Sequence, residues 1–582
     1  MNIIIKRIKG LDKSLKNYPY ALTFSTLTTI IMIFLINMED YYNPETLEVL
    51  GRLAMTTALG FPLFLIINSF FERNNKIEQI TKFIIRVFAG LLLVGYNLFL
   101  LKGTNMVTMT RYIAVTLALY LIFLVITYFH EKKNFELYIV KIFSRILVTF
   151  IYSFILMAGI SAIIFTIKEL LQVPIAEIIY LSTGLIIGGI FAPIFLLAKI
   201  PHPHESINLN EYPNILKILL LYIVMPLITV YTSILYIYFI KIIMIQQLPE
   251  GIVTHLVLWY SSLSIILLFF VSPLKSKSKW VKVFTRWLPI GLIPLLLMMF
   301  LAIGIRINTY GVTESRYFVV ALGLWITGVA IYYISTRKKN NIILPFTLAL
   351  VILLSVFGPW SSYSVSISSQ NNRFENLVNK YELVENNKII KNETTIAQED
   401  KEEIRAILKY FTNNHQLEEV KYLPDNFKLT DTENHFGFAY HKNIVSNQVQ
   451  NYFYNIRNNK KAISIKDYDY LFHLSNQNNY IENIDDDQKV VVKNINDKII
   501  ITKNDTIIYQ KSLKPILEEF YHKNKNKKEQ EKIIFTDQNS DLNLKYIFNS
   551  FNISIQKSIG KDIEIRSSDF YLLVKFRNSS SD

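Results

Sequence analysis

The sequence predicts a polytopic α-helical membrane bundle of about eleven transmembrane helices, followed by a soluble α+β C-terminal region. Three observations carry this. Hydrophobic residues make up 51% of the chain and crowd into bilayer-length runs before Pro359. Basic residues recur in alternate loops between those runs. After "FGPWSSYSVS" the alphabet shifts to Asn, Lys, Asp and Glu in short alternating stretches.

The candidate spans lie near 19–37, 50–71, 80–101, 110–129, 143–166, 175–198, 214–243, 252–272, 283–305, 315–335 and 342–358. The 214–243 run is long for one crossing, and Pro226 is placed to kink it. Acidic and basic residues keep to the ends of the runs, as the cost of burying charge in hydrocarbon requires. These boundaries give a transmembrane domain over 1–360 and a soluble region over 361–582, readable as two small modules at about 361–440 and 441–582. In "GLIIGG", Gly184 and Gly188 stand one helical turn apart, a spacing that lets helices pack closely.

The net charge of +15 is unevenly placed. Residues 1–360 hold 30 Lys and Arg against 15 Asp and Glu, whereas residues 361–582 hold 31 against 31. The excess therefore belongs to membrane loops, and no basic domain is left to grip a nucleic acid. Clusters at Lys6–Lys16, Arg73–Arg86, Lys132–Arg145, Lys199, "KSKSKWVK" and Arg337–Lys339 alternate with loops sparse in Lys and Arg. The positive-inside rule then puts the N-terminus in the cytoplasm, and eleven crossings put the soluble region outside a bacterial cytoplasmic membrane. The first apolar run is longer than a signal-peptide core and no small-x-small site follows it, so it is expected to remain as a span.

Beyond the bundle, "QEDKEEIRAILKYFTNNH" sets Ile404, Ile407, Leu408 and Phe411 on one helical face. "KVVVKNINDKIIITKNDTIIYQ" and "DIEIRSSDFYLLVKF" alternate as strands, and "SLKPILEEFYHK" reads as a helix between strands.

The stretches "HPHESINLNEYPNILKILLLYIVMPLITVYTSILYIYFIKI", "RINTYGVTESRYFV" and "FGPWSSYSVSISSQNNRFENL" resemble an uncharacterised family of bacterial polytopic membrane proteins, domain-of-unknown-function family 4153. The resemblance runs over roughly 150–430. It implies a multi-span region and a soluble tail, and carries no reaction, cofactor or catalytic residue with it.

The first site candidate lies in "RINTYGVTESRY". Arg306 and Arg316 could hold the phosphate of an anionic lipid, with Glu314 orienting a guanidinium and Tyr310 and Tyr317 at headgroup level. The same residues also make an ordinary interfacial turn. Arg306 suits a helix C-terminus, Gly311 its stop, and Thr313 with Glu314 the start of the next helix. His202, His204 and Glu205 lack a further ligand at metal spacing, and Asp485, Asp486 and Asp487 lack the glycine and spaced oxygens of a calcium loop. Glu39 and Asp40 sit in a loop short for a substrate platform. With no cysteine, thiol catalysis and Cys-ligated metal are excluded. No phosphate-binding glycine loop, nucleophile elbow or midplane carboxylate occurs.

The expectation is therefore a non-enzymatic envelope protein without catalytic residue, metal or cofactor, binding membrane lipid and an extracytoplasmic protein or glycan partner. A transferase or flippase for an anionic lipid-linked substrate is the alternative, and a small-solute transporter the third reading.

Overall fold

A computed structural model describes residues 14–577 apart from 39–42, 75, 104, 129–133, 199, 201–211, 246–251, 338, 391–395, 441–448, 456–462, 476–478, 486–487, 496, 525–532 and 557–561. The chain divides into two compact units, 1–429 and 430–582.

The first unit is a bundle of apolar helices, ten of them, among the described residues, long enough to cross a membrane. They are α1 (Pro19–Met38), α2 (Pro44–Arg73), α3 (Gln79–Phe99), α4 (Met106–Ile126), α5 (Phe135–Leu170), α6 (Ile178–Leu197), α7 (Asn214–Ile245), α8 (Ile252–Val271), α9 (Lys279–Tyr310) and α10 (Glu314–Ser335). The eleventh expected span is α11 (Ile343–Val356), an apolar helix of 14 residues. At 1.5 Å per residue it reaches about 21 Å, short of a hydrocarbon core of about 30 Å. Polar Asn340–Asn341 precedes it, and Gly358, at φ +86°, and Pro359 follow.

The deepest packing is where α8, α9 and α10 meet. Val257, Leu268, Val281, Leu292, Leu295, Met299 and Ile326 are buried there. A second cluster joins α1, α2, α3, α4 and α6 around Leu22, Leu59, Phe64 and Leu93. The opposite faces stay apolar and exposed, as with Phe83, Phe88 and Phe99 on α3 and Ile237 and Met244 on α7, which suits contact with lipid.

α6 and α7 each contain a π-helical turn, at Ile187–Phe191 and Leu219–Val224. The first contains the close approach in this segment. A Cβ on Gly189 would overlap Thr29, and Ser25 Oγ donates to the Gly189 carbonyl at 2.5 Å. A Cβ on Gly184 would meet Met157 Cε at 3.6 Å, and one on Gly188 would meet nothing within 4 Å.

After α11 the chain leaves the apolar helices and builds a small helical cap in the same unit. The cap is α12 (Ser362–Lys380), a hairpin of β1 (Val384–Glu385) and β2 (Lys388–Ile389), and α13 (Gln398–Asn414). Asn386 and Asn387 take φ +51° and +62°, the left-handed pair that a two-residue hairpin turn asks for. On α13, Ile404, Ile407, Leu408 and Phe411 are buried as their spacing predicts.

The second unit is antiparallel β. One sheet has the order β3 (Val449–Asn455), β10 (Leu542–Gln556), β11 (Asp562–Phe576), β4 (Tyr470–Ser475), with β9 (Ile533–Gln538) also paired to β10. The other is the meander β5 (Asn479–Asp485), β6 (Gln488–Ile495), β7 (Lys498–Lys503), β8 (Thr506–Ser512). Asn504 and Asp505, again at positive φ, make its tight β7–β8 turn. Val490, Val492, Ile499 and Ile501 pack with Leu544, Tyr546, Phe570 and Leu572, and α14 (Lys514–Asn524) adds Leu517.

Candidate functional site

The α9–α10 turn gathers the polar residues that the sequence singled out. α9 ends because Gly311 takes φ +68°, a conformation that side chains resist. A Cβ there would stand 2.6 Å from Arg373 Cδ and 2.9 Å from Gln370 Nε2, so glycine also makes room for the cap. The last carbonyls of α9 have no helical partners of their own. The carbonyl of Tyr310 is instead met by three donors: Arg316 at 3.1 Å, Arg373 at 2.7 Å and Gln370 Nε2 at 3.1 Å. Arg316 also donates to the Gly311 carbonyl at 2.6 Å and lies over the Tyr310 ring. Gln370 reaches the Val312 carbonyl at 2.9 Å, and the Val312 amide donates to Ser369 Oγ at 2.9 Å. Arg373 is paired in turn with Glu403 on α13.

Glu314 opens α10 and is 2% exposed. Its Oε1 takes Tyr410 OH at 2.6 Å and His415 Nε2 at 2.6 Å, both from the α13 region of the cap. Tyr410 OH and His415 Nε2 are 3.0 Å apart, and His415 is 2% exposed as a side chain. Burial and the neighbouring Glu314 push the Tyr410 phenol well above its ordinary range, so it stays a donor. Tyr317 OH donates to the Trp360 carbonyl at 2.7 Å, tying α10 to the start of the cap. Nearby, Arg111 of α4 lies over the rings of Phe357 and Tyr363 and donates to the Val356 carbonyl at 3.4 Å.

Of the candidate residues, Tyr310, Arg316 and Tyr317 thus meet at one turn with intrachain partners. Glu314 faces Tyr410 and His415, and Arg306 has no partner among the described residues. Sequence reading missed Gln370, Arg373, Tyr410 and His415. The signal available was a polar stripe in "SISSQNNRF", with Ser366 and Gln370 one turn apart and both buried. His202, His204, Glu205, Glu39, Asp40, Asp486 and Asp487 lie outside the described residues.

The cap is held internally by further polar pairs. Asn371 Nδ2 donates to the Glu419 carbonyl and its Oδ1 accepts from the Lys421 amide, both at 2.8 Å. Lys380 pairs with Asp400 at 2.6 Å, and Lys421 with Glu375 at 2.8 Å.

Fold and site together define a multi-span membrane protein whose bundle ends in a polar, helix-capped turn, followed by a β-rich unit. The chain belongs to the family described as "Domain of unknown function (DUF4153)", which matches residues 24–383. It is similar to "Uncharacterized protein PM1469" of Pasteurella multocida (strain Pm70), at 23% identity over 403 residues. That match covers 66% of this chain and 63% of the relative, so less than two thirds of the relative's length is spanned. No solved structure matches the chain.

Proposed function

We propose that this is a binding or sensing protein of the bacterial cytoplasmic membrane, without catalytic activity of its own. Its N-terminus lies in the cytoplasm, and residues 430–582 meet a partner or ligand outside. The bundle anchors that unit, and the cap passes mechanical state between bundle and tail. The supporting observation is that the polar groups of the α9–α10 turn are largely taken up by the cap and by the turn itself. Glu314, Arg316 and Tyr317 bond within the chain instead of lining an open reaction site. Paired reporter fusions at Asp582, each active on one side of the membrane, test the reading. The external reporter is expected to be active; activity of the cytoplasmic one overturns the arrangement, and α11 is the span on which the count turns.

A second reading has its own observation. Arg316 lies within electrostatic reach of both Arg306 and Arg373, and Arg373 is paired with Glu403. Such a cluster at a membrane edge suits the phosphate of an anionic lipid. Native mass spectrometry of the purified protein would then show a stoichiometric lipid that Arg306→Ala removes. A protein free of bound lipid contradicts this second reading.

A further inference from the structure

In the second unit, one end of the β9–β10–β11 sheet forms an open cleft of about 480 Å³ lined by Asp467, Tyr468, Thr536, Asp537, Gln538, Asn543, Leu544 and Lys575. Strand register assembles it. Asn543 is the direct partner of both Gln538 and Lys575, so an amide, an amide and an ammonium stand in one row across three strands. Thr536, two residues from Gln538, shares its face. The turn before β4 brings Asp467 and Tyr468 beside Lys575, because the Asp469 amide donates to the Val574 carbonyl at 2.9 Å and Asp469 Oδ2 accepts from the Phe576 amide at 2.8 Å.

The two amides are oriented. Arg577 Nε donates to Asn543 Oδ1 at 3.0 Å and its terminal nitrogen to Gln538 Oε1 at 2.8 Å. With both oxygens engaged by one guanidinium, each NH₂ group is left for another acceptor. Asp537 is committed within the chain, to Tyr509 at 2.7 Å and Lys511 at 3.1 Å. Burial raises its pKa but these hydrogen bonds outweigh that, and the carboxyl sits below its usual range. Asp467 is exposed and free of any ion pair among the described residues.

We propose that this cleft is a saccharide-binding site for a mono- or disaccharide. Leu544 is the single aliphatic residue of the lining, which disfavours an apolar ligand. Arg577 is engaged with the two amides and Asp537 with Lys511, so Asp467 and Lys575 are the charges left to a ligand, a balance that disfavours a phosphate or polyanion. A hydroxyl both donates and accepts, so a sugar matches amide and ammonium donors set beside the Asp467 acceptor, with Tyr468 offering a ring to the C–H face of a pyranose. The volume falls in the ordinary range for small-ligand clefts. The proposal rests on the reading that the tail is the ligand-facing part of the protein, and names its ligand class.

Saturation-transfer NMR on the full chain in lipid nanodiscs, free of glycoside detergent, tests it with glucose, N-acetylglucosamine, glucuronic acid and cellobiose as probes. At least one probe is expected to receive saturation and to lose affinity about tenfold in Asn543→Ala and again in Lys575→Ala. Asp467→Asn, which changes no packed group, should weaken the same probe. Absence of transfer to all four probes overturns the proposal, as does transfer that is unchanged in the Asn543→Ala/Lys575→Ala double variant. Neither failure touches the side of the membrane reported by the Asp582 fusions, so this proposal and the functional reading fail separately.

Discussion

The two ends of the membrane bundle are closed by different chemistry. At one end the α9–α10 turn is gripped by a cap through Glu314, Tyr410, His415 and the crowded Tyr310 carbonyl. At the other, short links hold the helix ends directly. Asn341 Nδ2 donates to Glu136 Oε1 at 2.6 Å and approaches Ser272 at 3.5 Å, and Arg73 donates to the Ile126 and Thr127 carbonyls. This second end is rich in lysine, with Lys339 over the Tyr333 ring at 4.5 Å. The difference teaches where a long-range coupling can be stored. A buried carboxylate with two donors from one distant helix is costly to leave unpaired, so it makes docking all-or-none. Links spread over several loops are individually modest and give way one at a time.

The largest effect should follow Glu314→Ala, which leaves Tyr410 and His415 buried without their acceptor. A loss of about 3 kcal/mol in cap docking is expected. Limited proteolysis of residues 381–420 would read it, with cleavage unchanged in the loops at the opposite end. Gly311→Ala comes next. It forces a side chain into positive φ and against Arg373 and Gln370, at a cost of about 2 kcal/mol, visible as a lower midpoint of thermal unfolding. Asn341→Ala removes one buried link at the basic end, about 1 kcal/mol, and should leave proteolysis of the cap as it is.

The two ends are also separated by the pH window in which each responds. Hydrogen bonds from Lys380 and Tyr381 hold the Asp400 carboxyl below its ordinary value of 3.8. A carboxyl lowered by folding contributes stability above its ordinary pKa and loses it as pH falls through the folded value. The cap should therefore loosen in acid, below pH 3.8. Burial and the nearby Lys275 push the Lys339 ammonium down, from 10.5 to about 8. Between those values the unfolded chain holds a proton that the folded chain has released, so the basic end gains stability as pH rises from about 8 to 10.5. Hydrogen exchange at the two ends would check the two windows, the cap losing protection in acid and the basic end gaining it in alkali, both with stability rising as pH rises. Lys339→Met should abolish the alkaline gain.

Most of the architecture was legible because its signals are local. Apolar run length gave the ten long helices among the described residues and 3.6-residue spacing gave α13, whereas the Asn386–Asn387 hairpin turn was not read from the sequence. The caps of the turn were legible in part. Gly311 does stop α9, and Thr313 stands at the N-cap of α10, although its hydroxyl lies 3.4 Å from Ser315 Oγ instead of on a backbone amide. For Glu314 the sequence offers two roles, orienting a guanidinium or opening the next helix, and neither points to Tyr410 or His415. Its partners lie 96 and 101 residues further on, beyond any periodicity or spacing rule. The close contact at Gly189 was hidden for a related reason, since a π-turn re-aims the helix face on which small residues fall.

The coupling between turn and cap is tested most directly by a double-mutant cycle. Glu314→Ala, His415→Ala and the double variant would be compared by hydrogen exchange across residues 398–414 in nanodiscs. The structure predicts strong non-additivity: either single change opens α13, and the second adds little, a coupling of about 1–3 kcal/mol. Additive losses, or protection of α13 that is unchanged in Glu314→Ala, would contradict the claim that this buried carboxylate locks the bundle to its cap.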